Sequence, residues 1–85
     1  MTYFPTSLTM QDAALGLQPG LEAIRSGSAD IDLSRLERFD SAAVAALLAW
    51  RRAAQSAGLS LRIAGAPAGL RSLANLYGVA ELLEA

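Results

Sequence analysis

The 85-residue chain contains no cysteine and no histidine, and its seven basic residues are all arginine. Without cysteine there can be no disulfide and no thiolate nucleophile. Without histidine the commonest neutral-pH general base is missing, and the two absences together remove the usual zinc ligands. With no lysine, the chain cannot form the phosphate loop G-x-x-x-x-G-K-[ST]; "GAPAG" at 65–69 follows a strand pattern but lacks G-x-G-x-x-G spacing, and reads as a turn. No nucleotide, metal or other cofactor is expected. The arginines are scattered from Arg25 to Arg71 without a cluster, so the basic footprint of a nucleic-acid binder is absent. No apolar run approaches the ~20 residues of a membrane span. The opening "MTYFPTSLTM" has neither the basic flank nor the hydrophobic core of a signal peptide, which predicts a cytoplasmic protein.

What is present is apolar and nearly neutral: 53% hydrophobic residues and a formal charge of −1. That composition predicts one compact domain over residues 1–85. A chain of this size buries only about 60–65% of the surface its unfolded form exposes, so its stability margin is thin and a covering partner would add to it.

Tyr3 and Phe4 precede Pro5, which biases Phe4 toward extended backbone and suits a short strand stub. Over residues 10–26, Ala13, Ala14, Leu17, Leu21 and Ile24 recur at helical spacing behind Thr9 as an N-cap, while Pro19-Gly20 predicts a kink or a break at 18–20. "ADIDL" at 29–33 alternates as a strand does, with Ile31 and Leu33 on one face and Asp30 and Asp32 on the other. The main helix is expected over 41–57, capped by Asp40 or Ser41 and stopped by Gly58. A second strand follows at 59–64, then a helix after Pro67 carrying Leu70, Leu73, Ala74, Leu76 and Tyr77 up to Gly78, and a final short turn over 79–85. Strands joined through helices imply parallel pairing with right-handed crossovers, and hence an α/β fold.

The residues with chemical potential are few. Asp32 and Asp40 could form an acid–base pair, but two carboxylates without a metal cage or a cleft are more often structural. Ser41 has no histidine or lysine to activate it as a nucleophile. As a cap, a serine is worth about 1 kcal/mol over alanine. As a phosphorylation site, it would place a charge of about −2 beside the positive end of a helix dipole and alter any surface that docks there. Trp50 follows Leu47 by three residues and Ala43 by seven and reads as core. Both the 44, 48 face and the 43, 47, 50, 54 face of its helix are apolar, so that helix is broadly buried or docks onto something.

The stretch "IDLSRLERFDSAAVAALL" resembles the strand-loop-helix signature of STAS domains, in which an I-D-L-S strand end leads to D-[ST]-x-[GA] at the start of a helix. "AGLSLRIAGAPAGLRSLANLYGVAELL" is similar to the MlaB branch in particular through its L-A-x-L-Y-G. The resemblance implies a STAS (anti-sigma factor antagonist-like) fold, with a small mixed, mainly parallel sheet of four or five strands and helices mainly on one side. It also implies no enzymatic activity. Because that family opens with a strand hairpin and only Tyr3 and Phe4 precede the first helix here, one N-terminal strand is expected to be missing, and the exposed sheet edge would favour a homodimer.

The same resemblance implies a cytoplasmic accessory subunit that binds and supports the ATPase of the Mla ABC transporter, in phospholipid transport and outer-membrane lipid asymmetry. Such a subunit would be held at the inner membrane only through the complex. Carried over by motif, Ser41 matches the ATPase-contacting position, with Asp40, Ala42 and Ala43 sharing its loop and first turn, and Leu76 and Tyr77 are expected at or near the same interface. Within the fold, the alternative is an anti-sigma factor antagonist in which a kinase phosphorylates Ser41. Outside it, the alternative is a small enzyme using Asp32 and Asp40.

Overall fold

A computed structural model describes residues 2–83, leaving aside the side chains of residues 80 and 82. The elements run β1 (Ser7–Leu8), α1 (Ala13–Arg25), β2 (Asp30–Asp32), β3 (Arg38–Phe39), α2 (Ser41–Ser56), β4 (Arg62–Ala64) and α3 (Ala68–Leu76), followed by a 3-10 helix at Ala80–Leu83. The final turn expected over 79–85 is this 3-10 helix, with residues 84 and 85 outside the described ones.

Residues 3–8 lie in the middle of the strands. Tyr3 pairs in parallel with Ile31, its N–H donating to the Asp30 carbonyl at 3.1 Å and its carbonyl accepting from the Asp32 N–H at 2.8 Å. Further along, β1 turns its carbonyls the other way and pairs in parallel with β3, Ser7 opposite Arg38 and Leu8 opposite Phe39. The far side of β2 pairs in parallel with β4, in the register Asp30–Arg62, Ile31–Ile63, Asp32–Ala64. The lateral order is therefore β3, residues 3–8, β2, β4.

Instead of the single sheet the sequence suggests, there are two parallel two-stranded ladders, and Pro5 explains the split. In an extended segment alternate residues turn their amides to the same side, so after Tyr3 the next N–H aimed at β2 would belong to residue 5, where proline has none. The N-terminal segment thus contributes strand structure at the centre and opens no sheet edge. The outer strands are β3 and β4, two and three residues long and each carrying an exposed arginine, Arg38 or Arg62. Such short charged edges leave little backbone for strand addition by a second copy.

One face of the β2–β4 ladder is covered and the other faces water. Ile31 and Ile63 are buried opposite each other, while Arg62 and Ala64 are exposed. On the covered face a single core joins Leu8, Ile24, Ile31, Leu33, Leu47, Trp50, Leu70 and Leu83, with α1 packed on α2 and α2 on α3.

Helix α1 is one continuous helix beginning at Ala13, where the sequence predicts a helix from residue 10 broken at 18–20. Pro19 removes a hydrogen bond to the Leu15 carbonyl, but Leu15, Gln18, Pro19 and Glu22 all lie on the exposed face, where water can take that bond. The later start arises because residues 10–12 form a turn of their own, described below.

The inner face of α1 carries Gly16 and Gly20, one turn apart. A Cβ on Gly20 would lie 2.4 Å from Trp50 Nε1 and 2.6 Å from its Cε2. The indole is fixed there: its N–H donates to the Leu17 carbonyl at 3.0 Å, and the Tyr3 ring meets it edge-on at 6.1 Å, itself anchored by its hydroxyl donating to the Gly16 carbonyl at 2.7 Å. Gly→Ala inside a helix ordinarily gains about 1 kcal/mol. At Gly20 the added methyl must displace a pinned indole, and Gly20→Ala is expected to lose about 1–3 kcal/mol instead, read as a lower urea midpoint.

Candidate functional site at the start of helix α2

Strand β3 runs into α2 with a single residue between them, Asp40, and that residue organises the site. Its backbone is extended (φ −144°, ψ −159°), which carries the carboxylate across the first turn, where it accepts from the Ala42 N–H at 2.8 Å. Asp40, not Ser41, therefore caps α2. Both residue types are good caps, and the extended backbone at 40 decides between them. Ser41 becomes the first helical residue and is exposed.

The second oxygen of Asp40 accepts from the Met10 N–H at 3.0 Å, tying the turn at 9–12 to the start of α2. That turn is held from its other end by Asp12. Its carboxylate accepts from the Thr9 N–H at 2.8 Å, the Thr9 hydroxyl at 3.0 Å and the Ser7 hydroxyl at 2.6 Å, while the Ala13 N–H donates to the Thr9 carbonyl at 2.7 Å. Thr9 is therefore not the N-cap its sequence position suggests: its hydroxyl donates to Asp12 and accepts no amide, and the residue before the first turn of α1 is Asp12, whose side chain is engaged by Thr9 and Ser7 instead.

The Ser7 hydroxyl, followed by the Thr9 amide and more weakly by Thr9 Oγ1 and Arg38, lowers the Asp12 pKa below the ordinary carboxylate value. A carboxylate with a lowered folded pKa stabilises the fold above its unfolded pKa and loses that contribution as pH falls through the folded value. Asp12→Asn is therefore expected to lower the urea midpoint at about pH 7, with the gap to the unsubstituted chain closing progressively below about pH 4. An unchanged gap at low pH would remove the charge-dependent latch.

The remaining sequence-assigned residues fall in three places. Ala42 is half-buried beside Ser41, and the exposed Ala45 lies one turn further along. Ala43 is fully buried and offers no surface to a partner; its small side chain serves the core. Leu76 (79% exposed) and Tyr77 (55%) are open to solvent at the C-terminal end of α3. Because all strands are parallel, α2 and α3 both start from the same end of the sheet, as the approach of Gly69 to Phe39 also shows. Leu76 and Tyr77 thus stand the length of α3, about 13 Å, from that end, and Ser41 is not brought together with them.

Asp32, the other half of the acid–base reading, accepts from the Ser34 N–H at 2.8 Å in a turn after β2. The Ser34 hydroxyl and then its N–H, with Arg35 adding less, lower its pKa. A concavity lined by residues 9–12, Arg38 and Asp40 opens beside Ser41, and Asp32 is not part of its lining. The residues missed by sequence reading are Met10 and Asp12, which join this site from across the fold, and Arg38, on β3 just before Asp40. No helix among the described residues is long and apolar enough to cross a membrane.

Comparison with curated proteins and with solved structures returned no match. A family model described as "Mlab, STAS domain" matches residues 6–84, nearly the whole chain. That family is generally non-catalytic. By that match and by its mixed α/β architecture of short parallel strands and three helices, the chain belongs to the STAS domain family of MlaB type.

Proposed function

We propose that this STAS domain is a non-enzymatic cytoplasmic subunit that docks onto the ATPase of an Mla-type ABC transporter through the start of α2, and so supports phospholipid transport and outer-membrane lipid asymmetry. The observation that carries the reading is the exposed Ser41 at the first position of a helix whose cap is supplied by its neighbour Asp40. Because Ser41 is released from capping, its side chain and the small residues Ala42 and Ala45 present a low surface on which another protein can come close. The mechanism is positional: a small folded wedge stabilises the arrangement of the ATPase and contributes no reacting group. Contact with the inner membrane follows only through that complex.

The test is co-purification with the Mla ATPase together with ATP turnover of the complex. A stable complex with raised turnover is the expected result; an ATPase that neither binds nor responds would contradict it. The exposed Ser41 hydroxyl also suits a second reading, an anti-sigma factor antagonist switched by phosphorylation at that serine. Transfer of phosphate to Ser41 by an anti-sigma kinase, without ATPase binding, would favour that reading instead.

A further inference from the structure

Met10 is among the most exposed large apolar side chains of the described residues, at 79%. Its backbone is one hydrogen bond from the carboxylate that caps α2, since Asp40 spans the Met10 N–H at 3.0 Å and the Ala42 N–H at 2.8 Å. The turn that carries it is fixed at its other end by the three bonds into Asp12. An apolar side chain standing in water on a backbone held at both ends is pre-organised for contact, since ordering the turn costs nothing further on binding. Methionine is also enriched at protein interfaces and adapts its shape to the surface it meets.

We propose that Met10 is a contact residue for the same ATPase partner that meets Ser41, and that Asp40 is the positioning residue that holds the two contacts in one surface; this rests on the docking reading above. Met10 and Asp40, thirty residues apart in sequence, are joined because β1 pairs with β3 and delivers the turn at 9–12 beside the start of α2. Asp40 is suited to the task because an ionised carboxylate has two acceptor oxygens. Asparagine has only one, and its other arm is an NH2 donor, so when its oxygen caps α2 the arm facing the Met10 N–H no longer accepts.

Equilibrium binding of the full chain to the ATPase subunit tests this, with circular dichroism confirming the fold of each variant. Met10→Glu is expected to weaken binding about tenfold or more, as loss of an energetically important contact does, while Met10→Leu, still apolar, stays within about twofold. Asp40→Asn keeps a good cap and a near-normal melting transition but binds several-fold more weakly. Met10→Glu binding as tightly as the unsubstituted chain, while Ser41→Arg does not bind, would overturn the contact and leave the docking reading standing. Full-strength binding by Asp40→Asn would overturn the positioning role. Failure of the unsubstituted chain to bind at all would overturn the docking reading and this inference with it.

Discussion

Trp50→Ala is expected to bring the domain to the edge of unfolding. The indole is fully buried, donates to the Leu17 carbonyl, stacks edge-on with Tyr3 and fills the groove left by Gly20. Truncating a buried tryptophan costs about 3–5 kcal/mol, part of it from the cavity that remains. A domain of this length has a total stability of roughly 4–13 kcal/mol. The loss is greater still because two further interactions end on the ring, leaving the Tyr3 side chain without its aromatic neighbour. Trp50 is the sole tryptophan, so the transition must be followed by circular dichroism rather than indole fluorescence. A urea midpoint close to that of the unsubstituted chain would mean that α1 and α2 are not joined through this residue.

Ser41→Arg should give the opposite dissociation of effects, with the fold unchanged and ATPase binding lost. Since Asp40 supplies the cap, replacing Ser41 removes no capping bond, and an exposed arginine at the first helical position costs at most a few tenths of a kcal/mol through its unfavourable interaction with the helix dipole. At the proposed interface, the same change sets a long charged side chain where close approach requires a small one. A well-packed contact disrupted in this way loses about 2 kcal/mol or more, a factor of roughly 30 in affinity. Matched melting curves with a large difference in complex yield are the expected outcome. If Ser41→Arg melts several degrees lower, Ser41 has a structural role that the capping geometry does not assign to it.

The parts of this fold that were legible in the sequence are those with long, regular patterns. Helix α2 has sixteen residues without glycine or proline, an aspartate before it and a glycine at 58 in a left-handed turn (φ +72°). The strands at Ile31 and Ile63 declared themselves by alternation, and Trp50 by its spacing from Leu47. By contrast, β1 and β3 are two residues each, too short for any period, and exist because residues 3–8 fit between two neighbours. Pro19 misled for a related reason: its cost depends on whether the orphaned carbonyl faces water, which the local sequence does not state.

At the site, Ser41 and Asp40 were visible as a pair of capping residues on a strand–helix boundary, and only the backbone angles at 40 separated their roles. Ala43 carried the same motif signature as Ala42, yet the phase of the helix turns it into the core. Met10 gave no signal, because nothing in the chain marks which distant amide a carboxylate will accept from. Leu76 and Tyr77 stand out in the sequence as part of a motif, but a linear motif does not reveal that α3 carries them away from the start of α2.

The most direct measurement is amide hydrogen exchange of this domain with and without the Mla ATPase. Docking through the start of α2 is expected to add protection at residues 9–12 and 40–45 and to leave the exposed outer face of α1, around Leu15 and Gln18, unchanged. Protection confined to other surfaces, or no change on adding the ATPase, would contradict docking through Ser41.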